Sequence, residues 1–581
     1  MNDGADDLSV LYRGFRERYL DYETLTAQLR GWAEALPGLV RLDSLGGTPE
    51  GRDLWLLTIG PEPERLRPAV WVDGNLHAVE LAGSSVALAI AEDAIRMHLD
   101  GALPAGVPEV AGTAAGDVLF YVMPRISPDG AEAILTSGRY VRSVPRDDRP
   151  NRQHPRWRAG DVDGDGQAMA MRLEDPAGEY VESDAVPGLM LERRLGDQGP
   201  FYRIYPEGFI EHFDGHTLPD TGFLDDNTPD LNRNFPYDWR PEPEQTGAGP
   251  FPASEPESRA IVEFATAHPN IFAWFNLHTF GGVYIRPRQD VPDGEMNQSD
   301  LALYRQLEAW GEDVGGYPMV SGHAEFTYEP GKPLRGDLTD FAYHQRGCLA
   351  LVCELWDLFR ELDIPRHKPF VDHYTHTTSE ELVRLAEWDR SHNAGRVFQP
   401  WRQVEHPQLG PVEVGGWDPR VGISNPPFER LPEICARQSA FYFQIAALAP
   451  RPELRVLEVR ALGDDVHRVE MEATNIGYLP TYVLDSARDR DWNEELTAVV
   501  EPGDCRLARD ADARRTIGHL AGWGRGLHSG GNSLFHRFSR GTGNRVRFGF
   551  TVTGSGTIEV RAGSCRVGWL TCTVAIPAPS A

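Results

Sequence analysis

Cysteine is scarce in this chain. There are six in 581 residues, at positions 348, 353, 435, 505, 565 and 572, with no C-x-x-C pair to suggest a zinc ribbon or a thiol redox motif. Scattered in this way, they read as reduced, buried small hydrophobes. Positive charge is also short: 57 Lys plus Arg stand against 87 Asp plus Glu, a formal net charge of −30. The average field therefore repels nucleic acid and anionic membrane surfaces. No apolar run approaches the roughly 20 residues needed to cross a bilayer. The first residues, MNDGADDLSVLYRGF, lack the basic start, apolar stretch and cleavage site of a secretory signal. A soluble, cytoplasmic protein is expected, unless a leader has been removed. Also missing are H-E-x-x-H, the G-x-S-x-G nucleophile elbow and a P-loop, which removes the commonest rival hydrolase and phosphate-binding signals. The sequence shows no internal repeat.

What is present is an alternation. LDYETLTAQLRGWAEAL (20 to 36) carries apolar residues at helical spacing and stops at Pro-Gly. LVRLDSLGGTPEGRDLWLLTIG reads as a hairpin, AVWV as a buried strand, AGSSVALAIAEDAIRM as a helix and DVLFYVMPRI as a strand. Further on, SEPESRAIVEFATAH reads as a helix, with Ser254 and Glu257 at capping-box spacing, and IFAWFNLHTF and CLALVCELWD read as strands. Strands alternating with helices predict an α/β fold with a central β-sheet flanked by helices. In such sheets ligands gather outside the carboxyl ends of strands. A charged, Gly- and Pro-rich stretch at about 143–229 interrupts the pattern as a large insertion. From about 450 the texture turns to short alternating stretches (LRVLEVRAL, VHRVEMEAT, RVRFGFTVT, TIEVRAG), which predict a C-terminal β-sandwich. Two domains, 1–445 and 446–581, are expected.

The chemistry-bearing residues sit at predicted strand ends. DGNLHAVELAG (73 to 83) places His77 and Glu80 three apart. Taken alone they are either two metal ligands or two polar residues at a helix start, where the helix dipole favours Glu. A catalytic zinc needs a third protein ligand and an open position, and His278, in AWFNLHTFGG, follows an apolar strand and precedes two glycines.

Four further stretches in the same order complete a pattern that resembles the M14 zinc metallocarboxypeptidases, the carboxypeptidase A-like peptidases. ISPDGAEAILTSGRYVR resembles the family segment that opens with Asn-Pro-Asp-Gly and ends at an arginine polarising the scissile carbonyl; counted from Pro128, that arginine is Arg142, with Arg139 as the neighbour that could be mistaken for it. DLNRNFP resembles the family's Asn-Arg pair, here Asn232 and Arg233. SEPES matches the start of the next helix, and DLTDFAYHQRGCLALVCELWD resembles the strand bearing the catalytic glutamate, here Glu354. The resemblance spans about residues 20 to 390, interrupted by the insertion, and the mixed sheet of that family is the fold it implies.

The resemblance also assigns roles. His77, Glu80 and His278 would hold one Zn²⁺, leaving a position for water whose pKa the metal lowers to about 7. Glu354 would act as base and then acid, Arg142 would face the developing oxyanion, and Asn232 with Arg233 would grip the substrate's terminal carboxylate. The family's substrate-capping tyrosine falls to Tyr328, with Tyr343 as the competing position. Two departures stand out. Val79 replaces an arginine that many digestive members use to bind substrate further from the cut, and Thr339 occupies the specificity position before Asp340, so side-chain preference is open.

Other candidates are weaker. DVDGDG spaces Asp161, Asp163 and Asp165 like the first half of an EF-hand, but its twelfth position is Arg172. The stretch is either an Asp/Gly turn or a different Ca²⁺ site closed by Glu174 or Asp175. HFDGH (212 to 216) and HYTH (373 to 376) are further histidine pairs. The expected function is a zinc-dependent carboxypeptidase acting on peptides with a free C-terminal carboxylate, with no nucleic-acid or membrane partner. Alternatives are a related amidase acting on cell-wall peptides or γ-linked glutamate and, from another class, a non-catalytic zinc-containing binding protein.

Overall fold

The computed structural model describes residues 8–146, 154–221, 229–329, 331–463, 465–527 and 538–578. The acidic first residues and two pieces of the 143–229 stretch lie outside them. The centre is a mixed eight-stranded sheet: β1 (Val40–Gly47), β2 (Asp53–Ile59), β3 (Ala69–Gly74), β4 (Leu119–Met123), β5 (Ile271–Thr279), β6 (Val283–Arg286), β7 (Met319–Ser321) and β8 (Leu349–Leu355). Its order is β1-β2-β4-β3-β5-β8-β6-β7. The four central strands β4, β3, β5 and β8 are mutually parallel. Every residue of β3, β4 and β5 is buried, as expected of parallel strands covered on both faces. Helices Ala82–Leu99 and Leu431–Ala446 lie in contact with each other, and helices Pro256–Ala267 and Leu338–Arg346 pack on β1, β5 and β8.

Local chemistry accounts for the elements. The first long helix, Tyr22–Ala35, starts at Asp21, whose carboxylate accepts from the Thr24 N–H. Helix Pro256–Ala267 departs from the sequence expectation. Its N-cap is Glu255, without a side-chain cap, so no capping box forms. Ser254 instead donates to Glu255 Oε1 at 2.7 Å, while Glu257 is fully buried and paired with Arg146 at 2.8 Å. Pro256 at the first helical position shifts the start by one residue.

The described part of the 143–229 stretch is built into sheets. Strands 156–159 and 208–211 pair with each other. Strands Ala170–Glu174 and Phe201–Pro206 join a six-stranded sheet with the hairpin Phe398–His406 and Gly410–Trp417. Beyond residue 450, two four-stranded antiparallel sheets face a common apolar cluster that includes Val469, Phe550, Ala498 and Val560. This β-rich region is tied to the rest of the chain. Tyr478, Leu479, Val483, Leu484 and Ala487 belong to the large hydrophobic core of the central sheet. Arg566, 1% exposed, donates to the carbonyls of Pro269, Arg346 and Gly347. All six cysteines are free, four of them buried.

Candidate active site

Three parallel strands deliver the site from their carboxyl ends. β3 ends at Gly74, and the chain turns through Asn75 at φ +54° into the loop that carries His77 and Glu80. A Cβ on Gly74 would stand 2.4 Å from the Gly83 carbonyl carbon, so glycine here lets helix Ala82–Leu99 close on the strand end. Asn75 then wires the loop, its amide donating to the carbonyls of His77 and Ala78 at 3.3 and 3.0 Å. On β5, His278 projects from the position opposite Glu354 of β8 in the parallel register. Val79 packs with Ile134 and Val141 in a small apolar cluster, 5% exposed.

His77, Glu80 and His278 are all buried, and one ligand atom from each lies within 4.8 Å of the others. His77 Nδ1 is 2.7 Å from Glu80 Oε1, His278 Nδ1 is 2.9 Å from Glu80 Oε2, and the two Nδ1 atoms are 3.1 Å apart. His278 Nε2 lies 2.6 Å from Asn276 Oδ1. A carbonyl oxygen only accepts, so Nε2 carries the proton and Nδ1 presents a lone pair. His77 Nε2 lies 3.3 Å from Asp230 Oδ1, within ion-pair range but without hydrogen-bond geometry. Two imidazole nitrogens and a carboxylate converging in a buried site are the donor types that a metal ion takes. The donor set, two nitrogens and one carboxylate, fits Zn²⁺.

Around these three stand the remaining residues. Asp230 was not singled out by the sequence, although it opens the DLNRNFP stretch. Its Oδ2 accepts from Arg142 Nε at 2.9 Å, its Oδ1 accepts from the Asn232 N–H at 2.8 Å, and the same carboxylate faces His77. Burial opposes its ionisation, but Arg142, His77 and Arg233 hold the carboxyl well below the usual range. Arg142 thus joins the cluster. Arg139 lies apart from it, in the fields of Arg158 and Glu50. Asn232 Oδ1 accepts from the Leu338 N–H at the start of helix Leu338–Arg346, 2.9 Å away, and Arg233 Nη1 donates to the Asn232 carbonyl at 2.7 Å.

Glu354 is partly buried. Burial and the nearby Glu80 charge push its pKa well above the carboxylate range, and Arg142 opposes the shift. Burial lifts the Tyr328 phenol as well, with Arg142, Glu354, Arg233 and Asp230 all acting on it, although the residue as a whole is 50% exposed. Tyr343 is 2% exposed and donates to Asp300 at 2.8 Å, a packed aromatic outside the cluster. Thr339 is buried with its hydroxyl unpartnered.

The weaker candidates resolve differently. Asp161 and Asp163 accept from the N–H groups of Gly164, Gly166 and Asp165, and Arg402 sits 3.0 Å from Asp163 and against Asp165. Arg402 supplies the positive charge that calcium would have brought, and Asp175 is taken by Arg203 at 2.7 Å. The carboxylates of Asp161, Asp163 and Asp165 do stand close enough to share an ion, but with Arg402 among them calcium has no support here. A second His/Asp cluster, Asp290, Asp340 and His344, already contains the Arg288 guanidinium on both oxygens of Asp290. The HFDGH and HYTH histidines belong to none of the metal-competent groups among the described residues.

Comparison with known proteins bears on the same region. A family model described as zinc carboxypeptidase matches residues 25–367, and one described as a domain of unknown function (DUF8731) matches residues 451–575. Carboxypeptidase A6 of Mus musculus is 22% identical over 279 residues, covering 47% of this chain and 45% of that protein. A zinc carboxypeptidase of Saccharothrix mutabilis subsp. capreolus is 29% identical over 150 residues, 26% of this chain and 32% of that one. The chain thus spans less than half the length of these two curated relatives. The crystal structure of thrombin activatable fibrinolysis inhibitor aligns over 75% of this chain and 76% of its own, at 14% identity and a TM-score of 0.41.

Proposed function

This chain belongs to the zinc carboxypeptidase family, and on that premise we propose that it is a zinc-dependent exopeptidase that removes the C-terminal residue of peptides. The observation that carries the proposal is the convergence of His77 Nδ1, His278 Nδ1 and the Glu80 carboxylate, with Glu354 opposite His278 in the neighbouring strand. A zinc ion held by these three would supply Lewis acidity and a water acidified to a pKa of about 7.

The chain's own residues do the rest. Arg233 offers a planar guanidinium and Asn232 an amide NH₂, which together bind a terminal carboxylate and set the scissile bond one residue away. Glu354 takes a proton from the attacking water and delivers it to the leaving amine as the C–N bond breaks; a carboxylate whose pKa is raised by burial is a stronger base than one in water. Arg142 directs a fixed positive charge at the oxygen on which negative charge develops. Asp230 holds that guanidinium in place, so no reorganisation is needed at the moment of reaction. Tyr328, half exposed and in the field of Arg142, Glu354 and Arg233, would cap the bound residue.

The test is digestion of a peptide library read by mass spectrometry, with and without chelator. Loss of single C-terminal residues, abolished by chelation and restored by zinc, is expected. Internal cleavage, or no hydrolysis by protein carrying stoichiometric zinc, would overturn the reading.

A further inference from the structure

Behind His278 lies a closed hydrogen-bond chain. β5 runs beside β3 in parallel register, pairing Trp274 with Trp71 and Asn276 with Asp73. Residues two apart share a sheet face, so Trp71, Asp73, Trp274, Asn276 and His278 all project to the same side. Asp73 is 0% exposed. Its Oδ2 accepts from the Trp71 and Trp274 indoles at 2.7 and 2.8 Å, and its Oδ1 accepts from the Asn276 amide. Asn276, also 0% exposed, uses its Oδ1 for His278 Nε2 at 2.6 Å.

The chain has a direction that chemistry fixes. An ionised carboxylate only accepts, and the indole N–H only donates. Asn276 must therefore turn its NH₂ to Asp73 and its oxygen to His278. That oxygen in turn requires the proton on His278 Nε2, which leaves Nδ1 as the lone pair facing Glu80. We propose that Asp73 is a positioning residue for the metal site: acting through Asn276, it selects the His278 tautomer that can bind zinc. The inference rests on the reading of His77, Glu80 and His278 as a zinc site.

An isosteric change tests the direction alone. In Asp73→Asn the remaining oxygen keeps the two indoles and the new NH₂ faces Asn276. Asn276 then avoids two opposed donors only by flipping, which turns its own NH₂ to His278 Nε2. His278 must move its proton to Nδ1, where it blocks the metal. Adding Asn276→Asp restores the original sense. The carboxylate introduced at position 276 accepts from the amide at position 73 on one side and from His278 on the other, and Nε2 is protonated again.

Zinc affinity measured by chelator competition is the readout, with folding followed by circular dichroism. The expected result is zinc binding weakened about 10- to 100-fold in Asp73→Asn and largely restored in the Asp73→Asn, Asn276→Asp double variant. Wild-type affinity in the single variant overturns the inference, as does a double variant no better than the single. A wild-type protein that binds no zinc defeats the underlying zinc reading instead. Should the single variant fail to fold, ¹⁵N chemical shifts of the wild-type apoprotein at alkaline pH decide: His278 as the Nε2–H tautomer supports the inference, and Nδ1–H overturns it.

Discussion

His278 and Glu354 face each other across two adjacent parallel strands, in register. In the proposed reading one residue holds a metal and the other moves a proton, and the pairing of β5 with β8 sets the spacing between them. A slip of one residue would turn either side chain to the opposite face of the sheet, so this relation is as fixed as the core beneath it.

Glu354→Gln keeps the shape and removes the base. Zinc content should be unchanged, while turnover of a peptide substrate falls about 10²- to 10⁴-fold. Near-normal turnover would move the base elsewhere.

Asp230→Ala takes away one carboxylate shared by His77, Arg142 and the Asn232 N–H. Zinc affinity is expected to drop about 10- to 100-fold, and zinc-saturated protein should still show a reduced kcat because Arg142 has lost its anchor. If saturation with zinc restores kcat in full, Asp230 does not position Arg142.

Arg233→Ala should raise KM for substrates with a free terminal carboxylate. C-terminally amidated peptides are the control: an equal loss on them would contradict a carboxylate clamp.

Metal removal would leave two imidazole nitrogens and a carboxylate converging without a cation between them. Dialysis against chelator should lower the Tm, and readdition of zinc should restore it, since a ligand at about 1,000 times its Kd stabilises by about 4 kcal/mol. An unchanged Tm would mean that zinc is not held by the folded protein.

His98 makes a pH prediction independent of the site. Its Nε2 is buried without a hydrogen-bond partner, and burial, with Arg67 adding to it, pushes its pKa down to about 4. An unfolded histidine titrates near 6.5. Between these values the unfolded chain binds a proton that the folded chain refuses, so stability is lost as pH falls from about 6.5 to about 4. The loss should be on the order of 2 kcal/mol. Urea titrations of His98→Gln over that range should show a shallower decline than wild type, and parallel curves would assign the loss to other groups.

The strands that build the site were legible in the sequence because each is a short apolar run ending in a polar residue. AVWV, IFAWFNLH and LALVCEL all fall in strands of the central sheet. His77, Glu80 and His278 came from the same signal, joined to family order. Asp230 was not found, although it stands two residues before Asn232, because a buried carboxylate that acts through three neighbours has no spacing of its own. The Asp73 and Asn276 contact is similarly silent: the residues lie some two hundred positions apart and meet only through strand register. The stretch at 143–229 read as an interruption because its strands are short and complete their sheet with the distant 398–417 hairpin, a pairing that local periodicity does not encode. The Ser254 and Glu257 pattern misled for the opposite reason, since Arg146 captured the glutamate that a capping box would have used.

Arg566 reaches out of the C-terminal sheets to three carbonyls at the near ends of β5 and β8. The segment around Tyr478 to Ala487 fills part of the same core. For anyone shortening this protein, the practical boundary is not where the strand texture changes. A cut near residue 450 would take the guanidinium away from those carbonyls and leave an apolar face wet, beneath the two strands that carry His278 and Glu354. Such a fragment is expected to be insoluble, so activity assays belong on the full chain.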